Sequence, residues 1–143
     1  MLNVNNLNVF YGNFEAPHSV SLTIGAGEIV ALLGANGAGK STTINTISGL
    51  TELRGGEMTY GGMDLAAMPA HERVARGIIQ VPEGRKLFPF MTILDNLLIG
   101  SFSEGTRARR AETLEMVYDL FPKLAERKNQ LAGTLSGGEQ QMC

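Results

Sequence analysis

The run Gly34-Ala35-Asn36-Gly37-Ala38-Gly39-Lys40-Ser41 has the spacing of a phosphate-binding loop: Gly, four residues, Gly, Lys and Ser/Thr. Such a loop folds around a di- or triphosphate with successive backbone N–H groups turned inward, and glycine supplies the φ angles that this needs. Lys40 is then placed to reach the β and γ phosphates, and Ser41 to offer its hydroxyl to a Mg²⁺ that bridges them. The flanks constrain the fold further. Glu28-Ile29-Val30-Ala31-Leu32-Leu33 is a nearly unbroken apolar run, which predicts a strand buried on both faces of a parallel sheet. Lys40 to Leu50 carries Ile44, Ile47 and Leu50 at helical spacing and ends beside Gly49 and Thr51. Strand, loop and helix in that order aim the helix's positive end at the phosphates. Both flanks argue against the bland alternative, a glycine-rich turn between a strand and a helix.

A chain of 143 residues with 43% hydrophobic residues suffices for one domain with a core. Its longest apolar run, Ile29 to Leu33, is far shorter than the roughly 20 residues a membrane-spanning helix needs. No basic segment leads into an apolar signal core, so the chain is expected to stay in the cytoplasm. The net charge of −2 and pI near 5.7 supply no basic field, and no nucleic-acid partner is expected. The single Cys143 allows no internal disulfide. His18 and His71 lack metal-ligand spacing and are read as surface residues.

From the start, Leu2 to Tyr11 alternates as a strand with a register change at Asn5-Asn6 and stops at Gly12. Tyr11 either stacks on an adenine ring or packs as an ordinary strand aromatic. Val20, Leu22 and Ile24 predict a second strand, and Gly55 to Gly62 a short one between glycine turns, so this part is antiparallel. Pro69 opens a helix that runs to Gly77. Ile78 to Pro82 is a further apolar strand with Gln80 in its middle. That amide either meets water, metal or phosphate at the carboxyl end of a sheet, or points to solvent from an edge strand. Glu83 to Met91 is a loop with a basic pair and aromatics that docks a partner or packs; Thr92 caps the next helix. A long helix follows from about Thr106 to Phe121, with Leu114, Val117, Tyr118 and Phe121 on one face, and Pro122 starts a shorter one. Finally, Ser136 caps a helix with Glu139 completing a capping box. Gly137 and Gly138 in its first turn cost about 1 kcal/mol each relative to Ala. An anion held close to that helix end would compensate.

Taken together, the loop at Gly34 to Ser41, the lone Gln80 and Leu135-Ser136-Gly137-Gly138-Glu139 resemble the Walker A, Q-loop and signature motifs of ABC transporter ATP-binding subunits, in order and spacing along the whole chain. Pro69 to Arg73, Val81 to Arg85 and Asn129 to Thr134 are similar to the smaller ATP-binding subunit of branched-chain amino acid importers, with urea and short-chain amide importers close by. The resemblance implies an α/β fold: a P-loop NTPase core with an N-terminal antiparallel β part and a helical subdomain, divided as residues 1–82 and 83–143. It implies ATP and Mg²⁺ as cofactors, with Gly34, Ala35, Asn36, Gly37, Ala38, Gly39, Lys40 and Thr42 on the phosphates and Ser41 and Gln80 on Mg²⁺. Tyr11 falls where the family places its adenine-stacking aromatic, and within the signature Leu135, Ser136, Gly137, Gly138 and Glu139, set at the ATP of a second ATP-binding subunit, Ser136, Gly137 and Gly138 would cap its γ phosphate. The further partners implied are two transmembrane permease subunits, faced by residues 83–100, and an extracytoplasmic binding protein, which sets the chain on the cytoplasmic face of the membrane. One departure stands out: no apolar strand is followed by an Asp-Glu pair, so the family's Walker B strand, general base and switch His are expected beyond Cys143, in a chain truncated at its C-terminus. An alternative is a nucleotide-binding fragment without turnover. Another is an ABC ATPase of DNA repair or translation, against which the acidic pI and the lack of a coiled-coil insertion argue.

Overall fold

The computed structural model describes residues 1–11, 14–102 and 104–143 and, apart from residues 9–18 and 104, their side chains. They form two compact units, Met1–Gln80 and Val81–Cys143, each with its own core.

In the first unit, β1 (Leu2–Tyr11), β2 (Phe14–Ile24), β3 (Glu57–Tyr60) and β4 (Met63–Asp64) make an antiparallel sheet of order β2-β1-β3-β4. Val4 pairs with Leu22 and Leu7 with Val20, so Asn5 and Asn6 of β1 face the single Ser21 of β2. That is the register change expected at Asn5-Asn6: a bulge turns both Val4 and Leu7 inward where strict alternation would put one in water. Asn6 takes the left-handed conformation there, with φ of 49°. Val4, Leu7, Met58 and Leu65 are fully buried, with Ile47 and Ile78 packed against them.

Helix α1 (Lys40–Ser48) follows the glycine loop, and α2 (Ala70–Ala75) starts after Pro69, which occupies the N-cap. The buried face of α1 is not the expected line of Ile44, Ile47 and Leu50. Ile44 and Leu50 are exposed, Ile47 is half-buried, and Thr43 and Thr46 are the residues removed from water. Their hydroxyls donate to the carbonyls one turn back, Thr43 to Gly39 at 2.9 Å and Thr46 to Thr42 at 2.8 Å. Burial therefore leaves no hydroxyl unmatched.

The two strands expected to be buried do not form. Residues 28–35 and 78–82 join no ladder among the described residues, and Ile29 is 100%, Leu33 88% and Val81 76% exposed. A two-face-buried strand requires hydrogen-bonded neighbours on both edges and cover on both faces. The described sheet spends its pairing within its own antiparallel strands and supplies neither.

The second unit is helical: α3 (Ile93–Ile99), α4 (Glu104–Arg107), α5 (Arg110–Leu120), α6 (Pro122–Glu126) and α7 (Gly137–Met142), with a 3₁₀ turn at Ala132–Thr134. The single helix expected from about Thr106 to Phe121 is instead α4 and α5, separated at residues 108–109. Pro122 does open α6, where its missing N–H has no cost. Ile93, Leu124 and Leu135 form the core, with Leu97, Val117, Tyr118, Phe121 and Cys143 packed on it. Thr92 caps α3 in a full capping box with Asp95. The next N–H groups of α3 are taken by the turn that follows α6: Ile93 donates to the Gln130 carbonyl at 3.0 Å and Leu94 to that of Lys128 at 2.9 Å. The residues leading to Ser136 are thereby fixed on the start of α3. Among the described residues no helix is long and apolar enough to cross a membrane.

Candidate functional site

The phosphate loop lies in the first unit, between the extended segment 28–33 and α1. Gly37 and Gly39 have φ of 86° and 82°, a backbone region that side chains disfavour and that the loop's turn demands. Gly39 is the N-cap of α1, and because it has no side chain no cap competes at that helix end. No acid occupies the first turn either, so the positive end of the helix dipole is left uncompensated by the chain itself. The Lys40 ammonium donates to the carbonyls of Gly34 at 2.8 Å and Ala35 at 2.7 Å, and the Ala38 N–H to the Ala35 carbonyl at 3.1 Å. The cation thus spans the mouth of the loop. Its two partners are neutral and exposed, so an anionic phosphate oxygen would be a stronger acceptor for it. Asn36, Ser41 and Thr42 stand around the same turn, Thr42 half-buried and the other two exposed. Tyr11 ends β1 opposite Phe14, but its side chain lies outside those described, as does that of His18, and Gly12 is not described at all.

Gln80 belongs to this unit and answers the question its sequence position raised. It is half-buried; its Nε2 donates to Asn45 Oδ1 on α1 at 2.9 Å, and its Oε1 is buried without a hydrogen-bond partner. A buried amide oxygen with no donor is costly, about 1–3 kcal/mol, unless something supplies the missing charge. Carbonyl and hydroxyl oxygens are the donors that suit a small hard cation, so Gln80 Oε1 and Ser41 Oγ fit Mg²⁺ by their chemistry. No group of three or more His, Cys, Asp or Glu that could hold a metal occurs among the described residues. His71 is exposed.

The Leu135 to Glu139 segment lies in the second unit. Leu135 anchors it in the core, Ser136 caps α7 by accepting from the Glu139 N–H at 3.4 Å, and the Glu139 carboxylate accepts the Ser136 N–H at 2.9 Å, which is the capping box expected. Arg127 adds an ion pair to the same carboxylate at 3.0 Å. Together the Ser136 hydrogen bonds, first, and the Arg127 charge hold the Glu139 carboxyl below the usual carboxylate range. Glu139 is therefore committed to the geometry of the turn. Gly138 has open space around it, and the Arg85 guanidinium lies against Gly137.

Sequence reading missed two residues near these motifs. Asn45 appears only as the i+4 neighbour of Ser41, and its contact to Gln80 spans 35 positions. Arg73 reads as a helix surface charge yet is 3% exposed, donating to the carbonyls of Thr46, Ile47, Leu65 and Met68. Desolvation lowers its pKa and the Asp64 charge partly restores it.

Known proteins resemble this chain in sequence and fold. A high-affinity branched-chain amino acid transport ATP-binding protein, BraG of Pseudomonas aeruginosa, is 42% identical over 142 residues, covering 99% of this chain and 60% of that protein. The chain thus spans about 60% of the length of that relative. A solved ATP-binding subunit of an ABC transporter superposes with a TM-score of 0.82 at 32% identity over 99% of this chain and 58% of its own. An ATP-binding cassette solved as a dimer in a post-hydrolysis state, bound to ADP and Pi, gives 0.73 at 28% over 99% of this chain and 66% of its own. The ABC transporter family model matches residues 17–143, the fold is that of an ABC ATPase cassette, and the chain belongs to the ABC transporter family.

Proposed function

We propose that this chain is the nucleotide-binding part of an ABC importer ATPase that couples ATP binding and hydrolysis to uptake of branched-chain amino acids. The observation that carries the reading is the loop itself: Gly37 and Gly39 in left-handed turns, the Lys40 ammonium across the mouth, and an uncapped helix end behind it. The name of the Pseudomonas relative and the three segments at residues 69–73, 81–85 and 129–134 favour branched-chain amino acids over urea or short-chain amides.

In this reading the loop N–H groups from Gly34 to Gly39, with Lys40 and Thr42, hold the phosphates, and Tyr11 stacks on adenine. Ser41 and Gln80 hold Mg²⁺, which when bound offsets charge on the β and γ oxygens. Ser136, Gly137 and Gly138 face the nucleotide of a second ATP-binding subunit, with Leu135 and Glu139 holding that turn in place. The dimeric relative bound to ADP and Pi supports that pairing. Residues 1–82 form the nucleotide-binding lobe and 83–143 the helical one, whose segment 83–100, with the exposed Phe88 and Phe90, meets one of two permease subunits at the cytoplasmic face of the membrane. An extracytoplasmic binding protein delivers the solute. With no general base assigned within 143 residues, the chain alone binds ATP and turns it over at background rate.

Calorimetric titration of Mg-ATP into the 143-residue chain and its Lys40→Ala variant tests this. Binding that weakens at least about tenfold in the variant is expected, since a charge-assisted contact to phosphate is lost. Equal affinities, or no binding by a folded wild-type chain, would overturn the reading.

A further inference from the structure

We propose that Asn45 is a positioning residue for Gln80: it fixes which end of the Gln80 amide is presented as a metal ligand. The inference rests on the nucleotide-binding reading and adds a residue that no motif includes.

A glutamine side chain carries a donor end and an acceptor end of nearly the same shape, and its terminal torsion has only broad preferences. Nothing intrinsic decides which end faces a ligand. Only the carbonyl end can hold a cation. Here the donor end is occupied: Nε2 gives its hydrogen to Asn45 Oδ1 at 2.9 Å, and the buried Oε1 is left without a partner. Among the described residues the backbone around Gln80 is not fixed by a sheet ladder, because residues 78–82 join none; the Ile78 N–H donates to the Arg73 carbonyl at 3.0 Å. The tether to α1 therefore carries most of the orientation.

Its location matters as much as its chemistry. Asn45 is four residues after Ser41 on α1, on the same helix face and about 6 Å along the axis. One helix thus carries the hydroxyl assigned to the metal and the amide that turns the second ligand. This is how outer groups behave around bound metals, where removing the orienting partner lowers metal affinity about 10–100-fold.

The test uses Mn²⁺ as the probe, titrated by electron paramagnetic resonance into the 143-residue chain saturated with a non-hydrolysable ATP analogue. Affinity for the analogue in EDTA is measured alongside, as a readout of loop and fold that needs no metal. Asn45→Leu and Gln80→Ala should each weaken Mn²⁺ binding about tenfold, the double variant should be no weaker than the weaker single, and EDTA affinity should not move. Asn45→Asp, whose side chain can only accept, keeps the amide turned and should stay within about threefold of wild type. Asn45→Lys, a donor, should turn the amide over and match Asn45→Leu; it carries the test if the Leu variant does not fold. Unchanged Mn²⁺ affinity in both Asn45→Leu and Asn45→Lys, or in Gln80→Ala, would overturn the inference while leaving nucleotide binding standing. Failure of the folded wild-type chain to bind the analogue would overturn the nucleotide reading and this inference together.

Discussion

Replacing Arg73 by Met removes a buried cation that gathers four carbonyls from two segments, the end of α1 and the turn at residues 65–68. Nε donates to Met68 at 2.8 Å, Nη1 to Thr46 at 2.6 Å and Ile47 at 2.8 Å, and Nη2 to Leu65. Two of these acceptors keep a backbone donor after the substitution: Thr46 receives the Gly49 N–H at 3.1 Å and Leu65 the Met68 N–H at 3.1 Å. The loss falls on Ile47 and Met68. At about 1–3 kcal/mol for each of the two carbonyls left unsatisfied, with up to about 1 kcal/mol for a cation lost from the C-terminal end of α1, the expected destabilisation is about 2–7 kcal/mol. Met fills similar volume, so no large cavity term is added. Urea denaturation followed by circular dichroism reads the change directly, and in a thermal melt of a chain of this size the midpoint should fall by roughly 4–28 °C. Arg73→Lys, with one nitrogen for four acceptors, should recover less than half of it. A loss below about 1 kcal/mol in Arg73→Met would refute the reasoning. It would mean that desolvating the guanidinium costs about as much as its four bonds return, as replacement of buried charges by apolar residues can reveal.

Other outcomes follow from local geometry. Gly56 has φ of 89°, and a Cβ there would sit 2.4–2.6 Å from the backbone of Asn5 and Asn6 at the bulge, so Gly56→Ala should cost at least about 2 kcal/mol in the same denaturation assay. Thr92→Ala removes the cap of α3 and should cost about 1 kcal/mol. Because the folded pKa of Glu139 lies below its unfolded value of about 4.3, the capping box stabilises above that pH and is lost as pH falls through the lower folded value. A carboxyl-detected NMR titration should find Glu139 below the ordinary range and Ser136→Ala should move it upward, since the Ser136 bonds are the largest cause. Ile29→Lys with Leu33→Lys should raise the concentration at which the 143-residue chain stays monodisperse in light scattering, because both side chains stand in water on a segment that joins no ladder among the described residues.

What could be foreseen divides along the range of the interaction. Ser136 with Glu139 and Pro122 at the first position of α6 depend on atoms within four residues, and each forms as its spacing predicts. The bulge is legible for a related reason: Val4 and Leu7 cannot both face a core in strict alternation, and Asn5-Asn6 marks the place where the chain slips. Ile29 to Leu33 fails the same test from the other side. Its composition states that it is suited to burial between neighbours, but burial is a property of those neighbours, and none pairs with it among the described residues.

The charged and polar residues are harder, because their solvation is decided by distant carbonyls. Arg73 has the sequence environment of an exposed helix charge, and only the convergence of residues 46, 47, 65 and 68 on one point makes its burial tolerable. The threonines of α1 are intermediate: their partners are local, one turn back, so their burial could be inferred from backbone chemistry though not from hydropathy. Gln80 shows how the two ranges combine. Its placement within an apolar run signalled that the amide needed partners, and the run's sequence could not say which. The contact to Asn45 answers for the donor end alone. The acceptor end remains a buried oxygen without a hydrogen, and a fold that tolerates it while the same amide's donor is matched has fixed that oxygen against α1, the helix that follows the glycine loop. It is that asymmetry within one side chain, more than the motif around it, that makes the metal-binding role of Gln80 a physical expectation.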